Sequence, residues 1–414
     1  MRIAAAVAMR GALEFDVDNY RELAENLIRD GVYGRGDVAT AFRPPLYPLL
    51  LALLGAMGQL NAPAIAALQV ALGVSTVGLV VLLGRQWGLG RWRFLAAALV
   101  AVDPILLRQA SVVMTETFAT FLAALGLVVL SALVARPTTL RALAAGAALG
   151  AAVLCRPVFL LWMFGAPICF VWLLPTWSTR ARAMACFALG GAVALLPWVA
   201  RNQMQFGWPI VTTTHGGVTL LLGNNPEFYE HLRASPGQPW DSAAFNAGVE
   251  EERIANRNQL AETGRNELPY ELANDRREAA HAWQNIEAEP SMFAQAVLFR
   301  WSRLWGVLPL PLAGEGSAAR ALRYAIGFWH AAEFVLALIG VCSLGRRLLC
   351  DPWVFGLLLA ASLTAAHAVY WTDLRMRAPA CPVVALAAAA GAGWIGRKKS
   401  GRKAVAGKEL EHQA

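Results

Sequence analysis

Nine stretches of this chain are apolar over the length of a bilayer, and that excludes most folds at once. A spanning helix needs about 20 mainly apolar residues. Such stretches run over 62–83, 93–110, 114–135, 139–155, 157–175, 183–200, 322–344, 352–370 and 378–396. Of the 414 residues 57% are hydrophobic and 15% charged, with a mean hydropathy of +0.46, too apolar for a water-soluble domain of this size. The expected fold class is an all-α integral membrane protein, a polytopic helical bundle of about nine to ten transmembrane helices with interfacial helices and one large extracytoplasmic loop domain.

The uneven sign of the charges gives an orientation. Between Glu227 and Glu289 there are 13 Asp or Glu against 6 Arg and no Lys, whereas every lysine lies between Lys398 and Lys408. Short basic loops carry Arg85, Arg91 and Arg93, then Arg136 and Arg141, then Arg180 and Arg182, then Arg346 and Arg347. By the positive-inside rule these loops and the tail face the cytoplasm of a cell inner membrane. Counting crossings back from the tail puts residues 14–61, the junction near Arg108 to Glu116, the junction at Arg156, the loop 201–321 and the junction 371–377 outside. That parity requires 46–60 and 292–311 to lie in the interface. The first is short and opens with Pro44 and Pro45; the second mixes Phe293, Trp301 and Trp305 with Arg300 and Arg303.

The chain then divides into a first extracytoplasmic loop with an interfacial helix (1–61), a transmembrane bundle (62–200), a loop domain (201–321), C-terminal transmembrane helices (322–396) and a basic cytoplasmic tail (397–414). Met1 to Leu13 holds a seven-residue apolar run broken by Arg10, too short to span.

The net charge of +8 thus reflects topology and not nucleic-acid binding, because no basic stripe interleaved with aromatics occurs in a polar segment. Cys155, Cys169, Cys186, Cys342, Cys350 and Cys381 all lie in or beside apolar stretches, and no CxxC spacing occurs. Zinc-finger and thiol-redox chemistry are excluded, and the loop domain has no cysteine pair to hold it.

Ionisable groups at the ends of membrane helices are costly and functional. Here Asp16, Asp18, Arg43, Asp103, Arg108, Glu116, Arg156, Arg201, Arg375 and Arg377 all fall at outer ends. A transporter is expected to place some of them at the midplane on broken helices of paired halves; an enzyme working at the outer interface places them as they are.

Asp16, Tyr20, Ala24, Asn26 and Leu27, followed by Arg43-Pro44-Pro45-Leu46-Tyr47-Pro48, resemble the first outer loop of membrane glycosyltransferases of the C superfamily. The similar branch uses polyprenyl-phosphate sugars: protein O-mannosyltransferases, the lipid A aminoarabinose transferase and bacterial lipopolysaccharide sugar transferases. Met114-Thr115-Glu116-Thr117 resembles the family's second acidic motif. Arg201-Asn202 with Gly223-Asn224-Asn225-Pro226 resembles the opening of its large loop, and Arg375-Met376-Arg377-Ala378-Pro379 its basic pair before the last helix. Each motif is weak alone, but their order covers almost the whole chain. The family has a spanning helix ahead of its catalytic Asp, so the resemblance implies that a first helix is missing from this sequence.

The resemblance implies a glycosyltransferase that moves a hexosyl or pentosyl group from a polyprenyl-phosphate donor to a hydroxyl of a lipid or protein acceptor at the outer face of the bilayer. A sugar on a lipid phosphate already has a good leaving group. The site therefore needs a base for the acceptor and positive charge for the departing phosphate. Asp16 is expected to be the general base, in line opposite the leaving group, which inverts the anomeric centre. Glu116 is expected to orient the acceptor, share the base role or help hold a divalent metal, for which no ligand set is legible. Arg43, Arg375, Arg377 and Arg156 suit the phosphate, because guanidinium offers forked permanent donors. Asp18, Tyr20, Tyr47, Arg201, Asn224 and Asn225 complete the candidate cavity.

Plainer roles compete with these. Asp18 is placed to cap the helix beginning near Tyr20, Arg156 to snorkel to headgroups, Arg201 to mark the membrane boundary, and Asp103 before Pro104 to form a turn. The Thr212-Thr213-Thr214-His215 run shows no third partner for a nucleophile and base, and His367 on an apolar helix reads as a core residue. An O-antigen ligase or polymerase is the second enzymatic reading. A lipid flippase or transporter is the non-enzymatic one, and it predicts function surviving Asp16→Asn.

Overall fold

The computed structural model describes residues 2–4, 9–58, 60–235, 237–263, 269–311 and 314–411. In a bilayer the backbone has to satisfy its own N–H and C=O groups, and this chain does so almost wholly as helix. The first loop carries helix α1 (Tyr20–Asp30), a two-stranded antiparallel hairpin of β1 (Gly34–Arg35) and β2 (Val38–Ala39), and helix α2 (Leu46–Ala56). Gly36 turns the hairpin with φ +59, and a Cβ on Gly34 would lie 1.9 Å from the Val38 carbonyl oxygen, so neither position accepts another residue without distortion. At 11 residues, α2 is about 16 Å long, half of what a crossing needs.

The bundle follows. Helix α3 (Ala62–Gln86) starts at Asn61, whose side chain accepts from the Ala64 N–H, with a proline in its first turn. The stretch expected over 93–110 is instead two helices, α4 (Arg93–Val102) and α5 (Pro104–Gln109). Asp103 caps the second through the Leu106 N–H at 2.9 Å, and Pro104 has no N–H to extend the first. Helix α6 (Glu116–Ala135) and helix α7 (Thr139–Cys155) come next. Pro157–Leu173 is an apolar run of short turns, interrupted at Pro167. Helix α8 (Trp177–Phe206) stays helical through Pro197 and stops at Gly207 in the left-handed region.

The described residues of 201–321 carry five further helices: α9 (Gly216–Gly223), α10 (Pro226–Ala234), α11 (Ala243–Thr263), α12 (Tyr270–Ala288) and α13 (Pro290–Leu304). Helix α14 (Ser317–Leu344), helix α15 (Trp353–Val369), a short 3-10 stretch (Leu374–Ala380) and α16 (Cys381–Glu411) complete the chain. Among the described residues five helices are long and apolar enough to span: α3, α6, α8, α14 and the run Leu374–Lys398; Leu46–Ala56, Thr139–Cys155, Pro157–Leu173 and Trp353–Val369 are shorter apolar ones. This is an all-α polytopic membrane protein, and the α4–α5 break and the division of Pro157–Leu173 into short α and 3-10 pieces are the main departures from the expected segments.

Lipid tails are as apolar as leucine, so helices associate through close packing of small residues. A Cβ on Gly146 of α7 would sit 1.9 Å from the Phe187 carbonyl oxygen of α8, and one on Gly340 of α14 would sit 1.9 Å from that of Ala387 of α16. Gly146→Ala is therefore expected to part α7 from α8 and cost about 1–3 kcal/mol. Gly78→Ala, where the new Cβ meets nothing within 4 Å, is expected to be neutral. Thermal unfolding of the two variants in detergent checks the contrast.

Candidate active site

The first loop is built around the start of α1. Asn19 adopts φ 60, the left-handed conformation that Asn tolerates. This folds the preceding residues back so that the Asp16 carboxylate faces the helix end, where it accepts the N–H groups of Tyr20 at 2.9 Å, Arg21 at 2.8 Å and Glu22 at 3.0 Å. The cap expected of Asp18 is thus supplied by Asp16. Burial pushes the Asp16 carboxyl above its ordinary value, against the lowering effect of the three N–H bonds and of Arg21. Those bonds use three of roughly four lone-pair positions, which leaves one to face a substrate. Asp18 turns the other way, its Oδ1 2.8 Å from Nη2 of Arg43.

A second carboxylate lies at the N-terminus of α6. Glu116 has its side chain 1% exposed, with Nη1 of Arg156 at 3.1 Å and Nε of Arg375 at 3.6 Å. Arg156 reaches it from the junction of α7 with Pro157 and also donates to Thr115 Oγ1 at 3.4 Å. Arg375 reaches it from the 3-10 stretch before α16, where the Asp373 side chain accepts the Arg375 N–H at 2.9 Å. Among the described residues neither oxygen of Glu116 accepts a well-aligned hydrogen bond. Two cations thus flank one buried carboxylate, and Arg375 also lies 3.8 Å from the more exposed carboxylate of Asp373.

Tyr20 and Tyr47 lie between the two ends, edge to face with ring centroids 5.4 Å apart. Burial raises both phenols. The charges of Arg43, Asp18, Arg156 and Glu116 reach Tyr20, and those of Asp16 and Glu116 reach Tyr47. Gln69 Nε2 donates to the Tyr47 hydroxyl at 2.9 Å. Asp16, Asp18, Tyr20, Arg43, Tyr47, Glu116, Arg156 and Arg375 therefore form one neighbourhood.

Four other residues expected in the site do not join it. Arg377 is buried facing the other way: it donates to the carbonyls of Leu304, at 3.3 Å, and Gly306, and its guanidinium lies 5.0 Å from the Phe334 ring centroid. The basic pair is split because residues 375 and 377 project to different sides of the 3-10 stretch. Arg201 donates to the carbonyls of Thr40 at 2.9 Å and Tyr33 at 2.8 Å, tying the first loop to α8. Asn224 bridges the carbonyls of Leu220 and Val369, both at 2.8 Å, and Asn225 caps α10 through the Phe228 N–H at 2.8 Å. All three are held by hydrogen bonds to the fold. Arg201→Gln is expected to lower thermal stability by about 1.5–3 kcal/mol, the worth of a charge-assisted hydrogen bond, while leaving donor KM unchanged in a transfer assay.

Two residues outside the expected site help to build it: His215, whose run shows no third partner for a base, and Glu271. His215, immediately before α9, meets Arg43 with Nε2 at 3.3 Å from Nη1. Glu271 of α12 accepts from Thr40 Oγ1, from the Ala41 N–H at 2.9 Å and from Thr214 Oγ1 at 3.1 Å, which joins the first loop to the 201–321 segment. Neither lies in an apolar stretch, and no local pattern gives His215 an arginine partner or marks Glu271.

A metal ion fits this donor set poorly. Asp18 is paired with Arg43 and Glu116 with two arginines, while Asp16 keeps one lone-pair position beside its three N–H groups, so a divalent cation gains few ligands here without displacing a guanidinium. Among the described residues no group of three His, Cys, Asp or Glu is disposed to hold one.

No protein-family model matches the sequence, and no curated protein does. Solved structures match in fold. The oligosaccharyltransferase of Archaeoglobus fulgidus in its apo form aligns with 98% of this chain at 14% identity and a TM-score of 0.53. The same protein tethered to an acceptor peptide aligns with 94% at 16% identity and a TM-score of 0.52. This chain spans about half of that protein, 51% and 49% in the two structures. ArnT of Cupriavidus metallidurans bound to undecaprenyl phosphate aligns over 95% of this chain and 77% of its own at 14% identity, but its TM-score of 0.41 is too low to carry an argument.

The chain is thus a polytopic membrane protein with a helical-bundle fold. It shares that fold with an archaeal oligosaccharyltransferase, and at these identities the likeness is one of fold.

Proposed function

We propose that this protein is a membrane glycosyltransferase that moves one sugar from a polyprenyl-phosphate donor to a hydroxyl group of a glycolipid or protein at the outer face of the inner membrane. The observation that supports this most is the convergence of Arg156 and Arg375 on the buried Glu116, beside a first loop that presents Asp16 and Arg43.

In this reading the acceptor oxygen attacks the anomeric carbon while its proton passes to Asp16. The bond from the anomeric carbon to the phosphate oxygen breaks, and the electron pair leaves with the lipid phosphate. Attack opposite the leaving group inverts the sugar. Arg43, Arg156 and Arg375 take the charge that grows on the departing phosphate. Glu116 serves as the resident counter-ion, keeping Arg156 and Arg375 in place and ionised until the phosphate enters. The hydrogen bonding of Arg201, Asn224 and Asn225 to the fold, and the distant packing of Arg377, favour scaffold roles for those four.

The test is transfer by the purified protein in proteoliposomes supplied with radiolabelled polyprenyl-phosphate sugars. Release of polyprenyl phosphate in step with labelling of a lipid or protein acceptor is the expected result. Lipid crossing the bilayer with no sugar released would instead identify a flippase. Mass spectrometry of envelope glycolipids and glycoproteins with and without the gene then names the sugar and acceptor.

A further inference from the structure

Arg43, a member of the proposed phosphate set, is held by side chains from two distant parts of the chain. Nη2 bonds Asp18 at 2.8 Å within the first loop, and Nη1 meets Nε2 of His215 at 3.3 Å from the start of α9. Its guanidinium carbon lies 5.3 Å from the Phe42 ring centroid and 5.8 Å from that of Tyr20. The His215 ring stands edge to face on Phe42 with centroids 4.7 Å apart. The guanidinium is thus bonded at two nitrogens and lies beside two rings.

The protonation state of His215 follows from its partners. A guanidinium only donates, so Nε2 has to be bare. On the other side Nδ1 lies 2.9 Å from Thr219 Oγ1, and that hydroxyl gives its proton to the His215 carbonyl at 2.9 Å. Oγ1 is then left to accept, which places the ring proton on Nδ1. The ring is therefore neutral, with one tautomer selected by hydrogen bonds at both nitrogens.

We propose that His215 is a positioning residue for the donor phosphate: as the neutral Nδ1–H tautomer, held by Thr219, it orients the Arg43 guanidinium towards the lipid phosphate. The inference rests on the phosphate-binding reading of Arg43 given above and adds the residue that sets its direction. It also makes the site composite, because the arginine comes from the first loop and its acceptor from the segment that opens the 201–321 region.

The surroundings keep the ring uncharged. Burial, then the charges of Arg43 and Arg253, hold His215 well below the ordinary imidazole range. Arg253 of α11 is itself paired with Glu278 of α12 at 2.7 Å. The other nearby carboxylates are also engaged: Asp275 with the Gly217 N–H, Glu271 with Thr214 and Asp18 with Arg43. From pH 6.5 upward the acceptor function of Nε2 is constant.

A double-mutant cycle on the full chain in nanodiscs tests this, reading binding of undecaprenyl phosphate beside thermal unfolding. His215→Ala is expected to weaken binding roughly tenfold, within the range of coupling between contacting residues. His215→Gln, whose amide oxygen accepts in place of Nε2, is expected to restore most of it. In an Arg43→Ala background His215→Ala is expected to add nothing. Equal effects of His215→Ala with and without Arg43, or no effect of His215→Ala in the wild-type background, would overturn the inference while leaving the phosphate site standing. If wild-type protein does not bind undecaprenyl phosphate, the phosphate-site reading falls and this inference with it. Should His215→Ala fail to fold, the comparison of His215→Met with His215→Gln, each with and without Arg43, decides the same question.

Discussion

Asparagine at position 16 is expected to abolish sugar transfer, with a loss of about 10²–10⁴ in rate, the usual contribution of a positioned proton acceptor. The difficulty is that Asp16 is also the cap of α1, and a weakened cap costs about 0.5–2 kcal/mol. The two roles separate by magnitude. Asparagine keeps one side-chain oxygen for the helix N–H groups, so the folded fraction measured by thermal unfolding falls little, whereas the ability to take a proton is lost. An activity loss no larger than the loss of folded protein would reduce Asp16 to a cap. The pH profile gives a second readout. The base works ionised, and burial raises its carboxyl, so transfer is expected to fall as the pH drops through a value above the ordinary carboxylate range. In Asp16→Asn whatever activity remains should lack that limb.

Glutamine at position 116 is expected to produce the largest loss of stability. The Glu116 side chain is 1% exposed and Arg156 16%, so removing the carboxylate leaves a buried guanidinium without its counter-charge, a change that costs about 3–5 kcal/mol. Arg375, at 36% exposure, adds less because water screens it. The counter-ion reading adds a sign that a purely structural ion pair would not show. Undecaprenyl phosphate bound at this position supplies the missing negative charge, so it should raise the melting temperature of Glu116→Gln by more than that of the wild type. A variant as stable as the wild type, or one that gains no more from the lipid, would remove Glu116 from this role.

Much of the fold was legible because a bilayer leaves the backbone few choices. An apolar stretch of bilayer length has to be helical, whichever neighbours it meets. The expected boundaries held within a few residues for α3, α6, α7 and α15. They failed where a proline and a capping acid broke a long apolar stretch at Asp103-Pro104, and at the ends of α8 and α14, which continue past their apolar runs with polar residues. Local helix chemistry continues where hydropathy stops.

The candidate site was legible in residue type and at the level of helix ends. Carboxylates and arginines gathered at one set of ends because burying them at mid-helix is costly. What each one touches is a different matter. Glu116 meets Arg156, 40 residues on, and Arg375 from the far end of the chain; Arg375 and Arg377, two residues apart, part company; Asp16 and Asp18 divide capping and ion pairing in the opposite sense to that expected from distance to Tyr20.

The amino-acid order alone determined that this chain enters a membrane as helices and keeps most of its ionisable groups at their ends, with Glu333 and His330 in the middle of α14 as exceptions, because solvation energies act residue by residue and need no partner. Only the tertiary structure decided that Arg156 and Arg375 share Glu116, that Arg377 is spent on carbonyl groups of the fold, and that His215 holds Arg43. Hydrogen bonds and ion pairs are short-ranged and directional, so their pairing depends on which segments pack together.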